Sequence, residues 1–224
     1  MSPLAYGETD NPWFSWRFVS QNTRTILDAL GEHLLYTAEA VVLATLVAVP
    51  LGVLAYRYRW LTGPILASTG VLYTIPSLAL FALLAPFLGP YRSTVLIGLV
   101  GYALLVITRN TVAGLTQVPE EVRDAARGMG YGTLAQLWRV DLPLALPGIL
   151  TGVRLATVST VALVTVGVLV GPGGLGNLLK IGFQANNRAE VMTATIIIVL
   201  IGLTLDVVLA GAGRWLTPWA RRAR

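Results

Sequence analysis

Three glycines, Gly171, Gly173 and Gly176, stand at the G-x-G-x-x-G spacing with which a backbone can cradle a pyrophosphate. That chemistry needs a strand before the glycines and a βαβ unit around them, whereas here a long apolar run precedes them. A P-loop is excluded too, because Asn177 stands where lysine is required. The stretch reads as a turn. The chain has no cysteine, which rules out disulfides and thiolate metal sites. His33, the only histidine, reads as an interfacial residue and not as a ligand, and no metal site is expected. No carboxylates cluster outside one polar loop, so no residue set forms a catalytic centre.

Two charges remain, Arg154 and Asp206, each inside an otherwise uncharged apolar run. Charges in lipid are costly and tend to pair. Arg154 lies six residues into its run and Asp206 seven before the end of its own. If those ends face the same side, each charge is ~10 Å deep by helical rise. The pattern predicts a structural Arg154–Asp206 pair, with a proton relay as the rival role.

The elements that carry these residues are membrane spans. Of 224 residues, 55% are hydrophobic and 12% charged, with mean hydropathy +0.70, against about 25% charged in soluble domains. The expected fold is an all-α polytopic membrane protein with about five transmembrane helices. The spans fall near 34–55, 63–88, 93–112, 148–170 and 191–213, within a permease-sized domain 34–218. Residues 1–33 read as an external or interfacial segment, with Trp13, Phe14, Trp16 and Phe18 and a helix from Thr23 to His33 at the headgroups. It lacks the basic start and apolar core of a cleavable signal peptide. Residues 219–224 form a basic tail behind an aromatic belt at Trp215 and Trp219.

The second span is interrupted by Tyr73-Thr74-Ile75-Pro76-Ser77. Proline removes an amide donor and clashes with the preceding turn, so the helix should kink or unwind there. Thr74 and Ser77 could satisfy the freed carbonyls. The break either lines a translocation path, with Tyr73, Thr74, Pro76 and Ser77 as its lining, or is a packing kink.

The longest polar-rich stretch runs from Glu120 to Pro147, within a loop 119–147. Pro119 suits a first helical position, and Glu120 and Glu121 place negative charge at a helix N-terminus. Val122, Ala125, Ala126 and Met129 form a one-sided apolar stripe. Gly130-Tyr131-Gly132 stops that helix, and Leu134, Leu137 and Trp138 make a second short stripe before Pro143 and Pro147. Two short amphipathic helices between spans must dock their apolar face on something other than the bilayer.

Asp124-Ala125-Ala126, three residues, Gly130, nine residues, Val140-Asp141-Leu142-Pro143 resembles the EAA coupling-loop motif of ABC importer permeases, with Asp for the usual Glu and Val for the usual Ile. Thr74-Ile75-Pro76-Ser77-Leu78-Ala79-Leu80, Ala125 to Gly130, Gly173-Gly174-Leu175-Gly176 and Leu205-Asp206 resemble the branch for the osmoprotectants glycine betaine, choline and carnitine. Methionine-importer permeases share the size and the Gly-Gly-Leu-Gly turn. The resemblance implies a type I, methionine-importer-like permease fold. It implies as partners two ABC ATPase subunits, a second permease copy or paralogue and an external substrate-binding protein. ATP and Mg would reside in the ATPase, leaving this chain without cofactor or catalytic residue. Asp124, Ala125, Ala126, Met129, Gly130, Trp138, Leu142 and Pro143 would meet or transmit the ATPase stroke. Methionine or another small solute is the alternative cargo, and ion-coupled secondary transport the alternative class.

With five spans and that loop inside, the inner segments hold ten Arg: 57, 59, 109, 123, 127, 139, 214, 221, 222 and 224. The outer segments hold five basic residues: Arg17, Arg24, Arg92, Lys180 and Arg188. The count predicts an external N-terminus and a cytoplasmic C-terminus in the cell membrane. It also accounts for the net charge of +5 without nucleic acid as a partner.

Overall fold

The computed structural model describes residues 11–221. Residues 1–10 of the expected N-terminal segment and 222–224 of the expected tail lie outside the described residues. The order is α1 (Trp16–Gln21), α2 (Thr23–Arg57), α3 (Arg59–Thr74), α4 (Ser77–Leu88), α5 (Arg92–Thr116), α6 (Glu120–Gly128) and α7 (Thr133–Gln136). A π-helical turn (Leu137–Asp141) follows, then α8 (Leu142–Gly167), α9 (Leu175–Gln184), α10 (Arg188–Leu216) and a 3-10 turn (Pro218–Arg221). No strand occurs among the described residues. Four helical stretches are long and apolar enough to cross a membrane, Thr23–Arg57, Arg92–Thr116, Thr133–Gly167 and Arg188–Leu216. The broken pair Arg59–Thr74 and Ser77–Leu88 makes a fifth if it is one span.

Two boundaries differ from the sequence expectation. The helix expected from Thr23 to His33 is not separate from the first span; both belong to α2, 35 residues long. At 1.5 Å per residue this helix reaches ~52 Å, well beyond a ~30 Å hydrocarbon core. No proline interrupts Thr23 to His33, so polarity alone does not end the helix. The second loop helix and the fourth span are likewise continuous from Thr133 to Gly167. Pro143 and Pro147 do not separate the two, and a π turn precedes both: the Leu142 N–H donates five residues back, to Leu137 O. A π turn re-registers the ladder just where Pro143 brings no donor.

The chain forms two compact units. The first takes the described residues up to Ala40, Ile75–Leu99 and Val158–Thr204. In it Phe81, Val95, Leu99, Val164 and Leu175 are fully buried, and Gly98 leaves room for the Phe81 ring, which a Cβ would meet at 2.4 Å. Asn11 ties the N-terminal segment to the α9–α10 turn, donating from Nδ2 to Asn186 O at 2.5 Å and accepting the Arg188 N–H at 3.0 Å. Asn187 caps α10 reciprocally: its Oδ1 accepts the Glu190 N–H and its Nδ2 donates to the Glu190 carboxylate.

The second unit takes Val41–Thr74, Val100–Thr157 and Leu205 onward. Its helices approach backbone to backbone. A Cβ on Gly148 would stand 2.8 Å from Gly114 Cα, one on Gly152 2.6 Å from Asn110 Cβ, and one on Gly52 2.6 Å from Thr111. Small residues four apart thus seat α8 on α5, as close packing in a bilayer requires. Ala44, Ala48, Ala103, Ile107 and Ala156 continue the seam, and Leu115, Val118, Ala145 and Ile149 form a second cluster at the loop end.

Candidate functional site

The loop between α5 and α8 is built on that second cluster. Pro119 lies one place earlier than expected, as the N-cap of α6, with Glu120 and Glu121 in the first turn. The helix closes in a Schellman motif: the Gly130 N–H donates to Arg127 O at 2.9 Å and the Tyr131 N–H to Ala126 O at 3.1 Å. Gly130 supplies the positive φ this closure needs, +82°.

The expected stripe splits between two faces. Ala126 turns inward and is buried, while Val122, Ala125 and Met129 face out. Met129 is 71% exposed, and Leu134 and Trp138 extend the apolar surface at 73% and 68%. Asp124 is exposed and paired with Arg127 at 3.1 Å. Leu142 packs on the Leu115–Val118–Ala145–Ile149 cluster, and Pro143 is half-buried beside it in the chain.

The residues that hold this loop were not found by sequence reasoning. Arg123, on the inward face of α6, is buried, as is Asp141 at the end of the π turn. The Arg123 Nε donates to Asp141 Oδ1 at 3.1 Å, Nη1 to Glu120 Oε2 at 3.3 Å and Nη2 to Leu115 O at 2.6 Å. The guanidinium also lies over the Tyr56 ring, 5.1 Å from its centroid. Gln136 Nε2 donates to the other Asp141 oxygen at 3.4 Å. Burial alone would lower the Arg123 pKa, but its hydrogen bonds to Asp141 and Glu120 outweigh that and hold it raised. The Arg123 and Arg127 guanidinia, both hydrogen-bonded to Glu120, hold its carboxyl below the usual carboxylate range. The contribution of these pairs is therefore complete above that range and is lost only as pH falls through the lowered value. A cavity of about 940 Å³ adjoins the group, lined by Tyr56, Arg57, Arg59, Glu120, Arg123 and Asp141 among others. The sequence signal was Asp141 itself, a charge at the head of an apolar run, hidden by its variable place in the motif.

Arg154 on α8 and Asp206 on α10 meet in a two-pronged pair, Nε to Oδ1 at 2.5 Å and Nη2 to Oδ2 at 2.6 Å. Their side chains are 40% and 31% exposed on the surface of the chain. The break after α3 is present. Thr74 ends α3 and its hydroxyl donates to Val71 O at 2.7 Å, within its own helix. Pro76 is the N-cap of α4 and Ser77 its first residue. Tyr73 is 45% exposed and sets its ring edge-to-face with Tyr102 at 5.8 Å.

His33 is fully buried, with Nε2 3.0 Å from Val161 O. The glycine-rich turn covers it. Gly174, at φ +51°, has so little room that a Cβ would stand 2.7 Å from His33 N. Its N–H donates to Glu32 Oε2 at 3.1 Å. The turn is thus a packing device with no strand before it. Among the described residues no three His, Cys, Asp or Glu side chains group as a metal site.

Residues 42–222 match the family described as binding-protein-dependent transport system inner membrane component. The chain is 36% identical over 202 residues to the glycine betaine/carnitine/choline transport system permease protein OpuCD of Bacillus subtilis, covering 90% of this chain and 88% of the relative. It is 33% identical over 202 residues to the choline transport system permease protein OpuBB of the same organism, covering 90% and 93%. It is 37% identical over 208 residues to the osmoprotectant import permease protein OsmW of Salmonella typhimurium, covering 90% and 96%. Its fold resembles a chain of the MetNI methionine ABC transporter in inward-facing conformations, with TM-score 0.74, 22% identity, and 91% of this chain and 100% of that one covered.

Proposed function

Because this chain belongs to the binding-protein-dependent transport system inner membrane components, we propose that, as the permease subunit of an ABC importer, it carries quaternary-ammonium osmoprotectants such as glycine betaine, choline or carnitine. The observation that carries the substrate class is the likeness, over 90% or more of this chain, to permeases each named for one of those solutes or for osmoprotectants.

In this reading two ATPase subunits hydrolyse ATP with Mg, and a second permease copy or paralogue completes the path. An external binding protein delivers the ligand. A trimethylammonium group is held chiefly by aromatic faces, which belong to that binding protein. The permease passes the ligand on past Tyr73, Thr74, Pro76 and Ser77. The exposed Val122, Ala125, Met129, Leu134 and Trp138 dock on the ATPase. ATP enters the mechanism only as a shift between inward-open and outward-open states.

Reconstituted with its ATPase and binding protein, the chain is expected to import radiolabelled choline or glycine betaine when ATP is supplied, with no proton gradient. Methionine import in place of choline would overturn the substrate class, and import that follows an ion gradient without ATP would overturn the reading altogether.

Orientation is tested separately. The excess of arginine on the loop side supports a cytoplasmic loop and C-terminus and an external N-terminus. The chain has no cysteine, so Met129→Cys supplies a single thiol. In the permease produced without its ATPase, an impermeant maleimide is expected to label it only in inside-out vesicles, and labelling from outside intact cells would reverse the topology.

A further inference from the structure

On α6 the buried residues are Arg123 and Ala126. Ala126 offers a methyl group, so Arg123 is the one long side chain by which this helix grips what lies beneath. It reaches three other elements: Leu115 O at the end of α5, Asp141 at the end of the π turn, and the Tyr56 ring on α2. Leu115 O, in the last turn of α5, otherwise accepts the Val118 N–H at a longer 3.4 Å. Asp141 stands directly before α8, where the ladder runs from i to i−5 in place of i−4.

We propose that Arg123 is the positioning residue through which displacement of α6 reaches the spans, pulling on Asp141 so that the π turn yields and α8 follows. This rests on the reading above, that α6 receives the ATPase stroke. The planar fork matters as much as the charge. Arg123 holds Asp141, Glu120 and Leu115 O from three different nitrogens at fixed angles; a lysine ammonium is a mobile point charge and cannot hold all three in register. A residue that merely stabilised the loop through its charge would tolerate lysine. A residue that transmits direction would not.

The test uses the complete transporter in vesicles, comparing wild type with Arg123→Lys, Asp141→Asn and the double variant. Three quantities are read: ATPase subunits retained per permease, choline imported per ATP hydrolysed, and stimulation of ATP hydrolysis by the binding protein. Both single variants are expected to retain the ATPase while choline per ATP falls by a factor of about 2 to 30, the range over which coupling mutations act. The double variant should be no worse than the more severe single, since both break one joint. A wild-type ratio in Arg123→Lys, or a loss of import that only tracks lost ATPase, would overturn the proposal. Absence of choline import by the wild type would strike the substrate class instead. Stimulation of hydrolysis, a readout that does not measure choline transport, would then decide on Arg123: loss in both variants supports it and wild-type stimulation overturns it.

Discussion

Alanine at Asp206 is expected to remove most of the protein from the membrane, alanine at Arg154 to do the same, and exchanging the two side chains to restore much of the loss. The pair joins α8 to α10 through two short hydrogen bonds, at 2.5 and 2.6 Å. Each residue sits in an apolar helix, so removing one partner leaves the other as an unpaired charge facing hydrocarbon or another protein chain. The partial exposure of both side chains does not relieve this, because the surroundings of a membrane span cannot hydrate them as water would. Even a modest loss of folding free energy changes cellular abundance several-fold. The exchange, Arg154→Asp with Asp206→Arg, keeps both charges and their proximity and alters only the direction of the fork. Membrane-inserted protein and choline uptake, measured together, separate the cases. Equal loss in the two alanine variants and in the exchange would show that the partnership contributes nothing beyond the particular side chains. A proton relay, by contrast, would leave insertion intact and move only the pH profile of uptake.

Those two residues were legible in the sequence because a charge in a long apolar run has few physical solutions. The same logic made the four long apolar helices and the broken pair legible, since runs of about 20 apolar residues have one principal use. Boundaries were harder to read. Polarity marks where hydrocarbon ends, not where a helix ends, and α2 therefore begins at Thr23 instead of near Leu34. Proline was ambiguous for a related reason. At Pro76 the backbone breaks, whereas Pro143 and Pro147 lie within a continuous helical stretch because a π turn re-registers the ladder ahead of them. Nothing in residue types alone distinguishes those outcomes. The burial of His33 has no sign in composition: the glycine turn at Gly174 packs onto it, a contact 141 residues away in the chain. In the loop, periodicity found a stripe but could not say which of its members turns inward. Ala126 and Arg123, three apart, share the inner face, and a buried arginine is invisible to a search for apolar periodicity.

Gly130→Pro and Ala126→Asp are expected to leave the protein inserted and to abolish most ATP-driven import, while Gly130→Ala does far less. Gly130 closes α6 at φ +82° and donates to Arg127 O. Proline cannot adopt that φ and has no N–H to donate, so both requirements fail at once. Alanine keeps the donor, and its Cβ would meet nothing within 4 Å, leaving only the strain of a left-handed conformation, roughly 1–2 kcal/mol. Ala126 is 1% exposed, so an aspartate there adds both volume and a further carboxylate on the face that carries Arg123. Overpacking alone costs about 1–3 kcal/mol, and the added carboxylate competes with Asp141 for the same guanidinium. Both severe changes tilt or undock a nine-residue helix without touching the glycine seam that packs α5 against α8. Insertion should therefore survive. Import and ATP hydrolysis, measured in the same vesicles, distinguish the outcomes. Wild-type import in Gly130→Pro would mean that the orientation of α6 carries no signal, whereas a deficit as deep in Gly130→Ala would mean that the turn acts by flexibility and not by the angle it imposes.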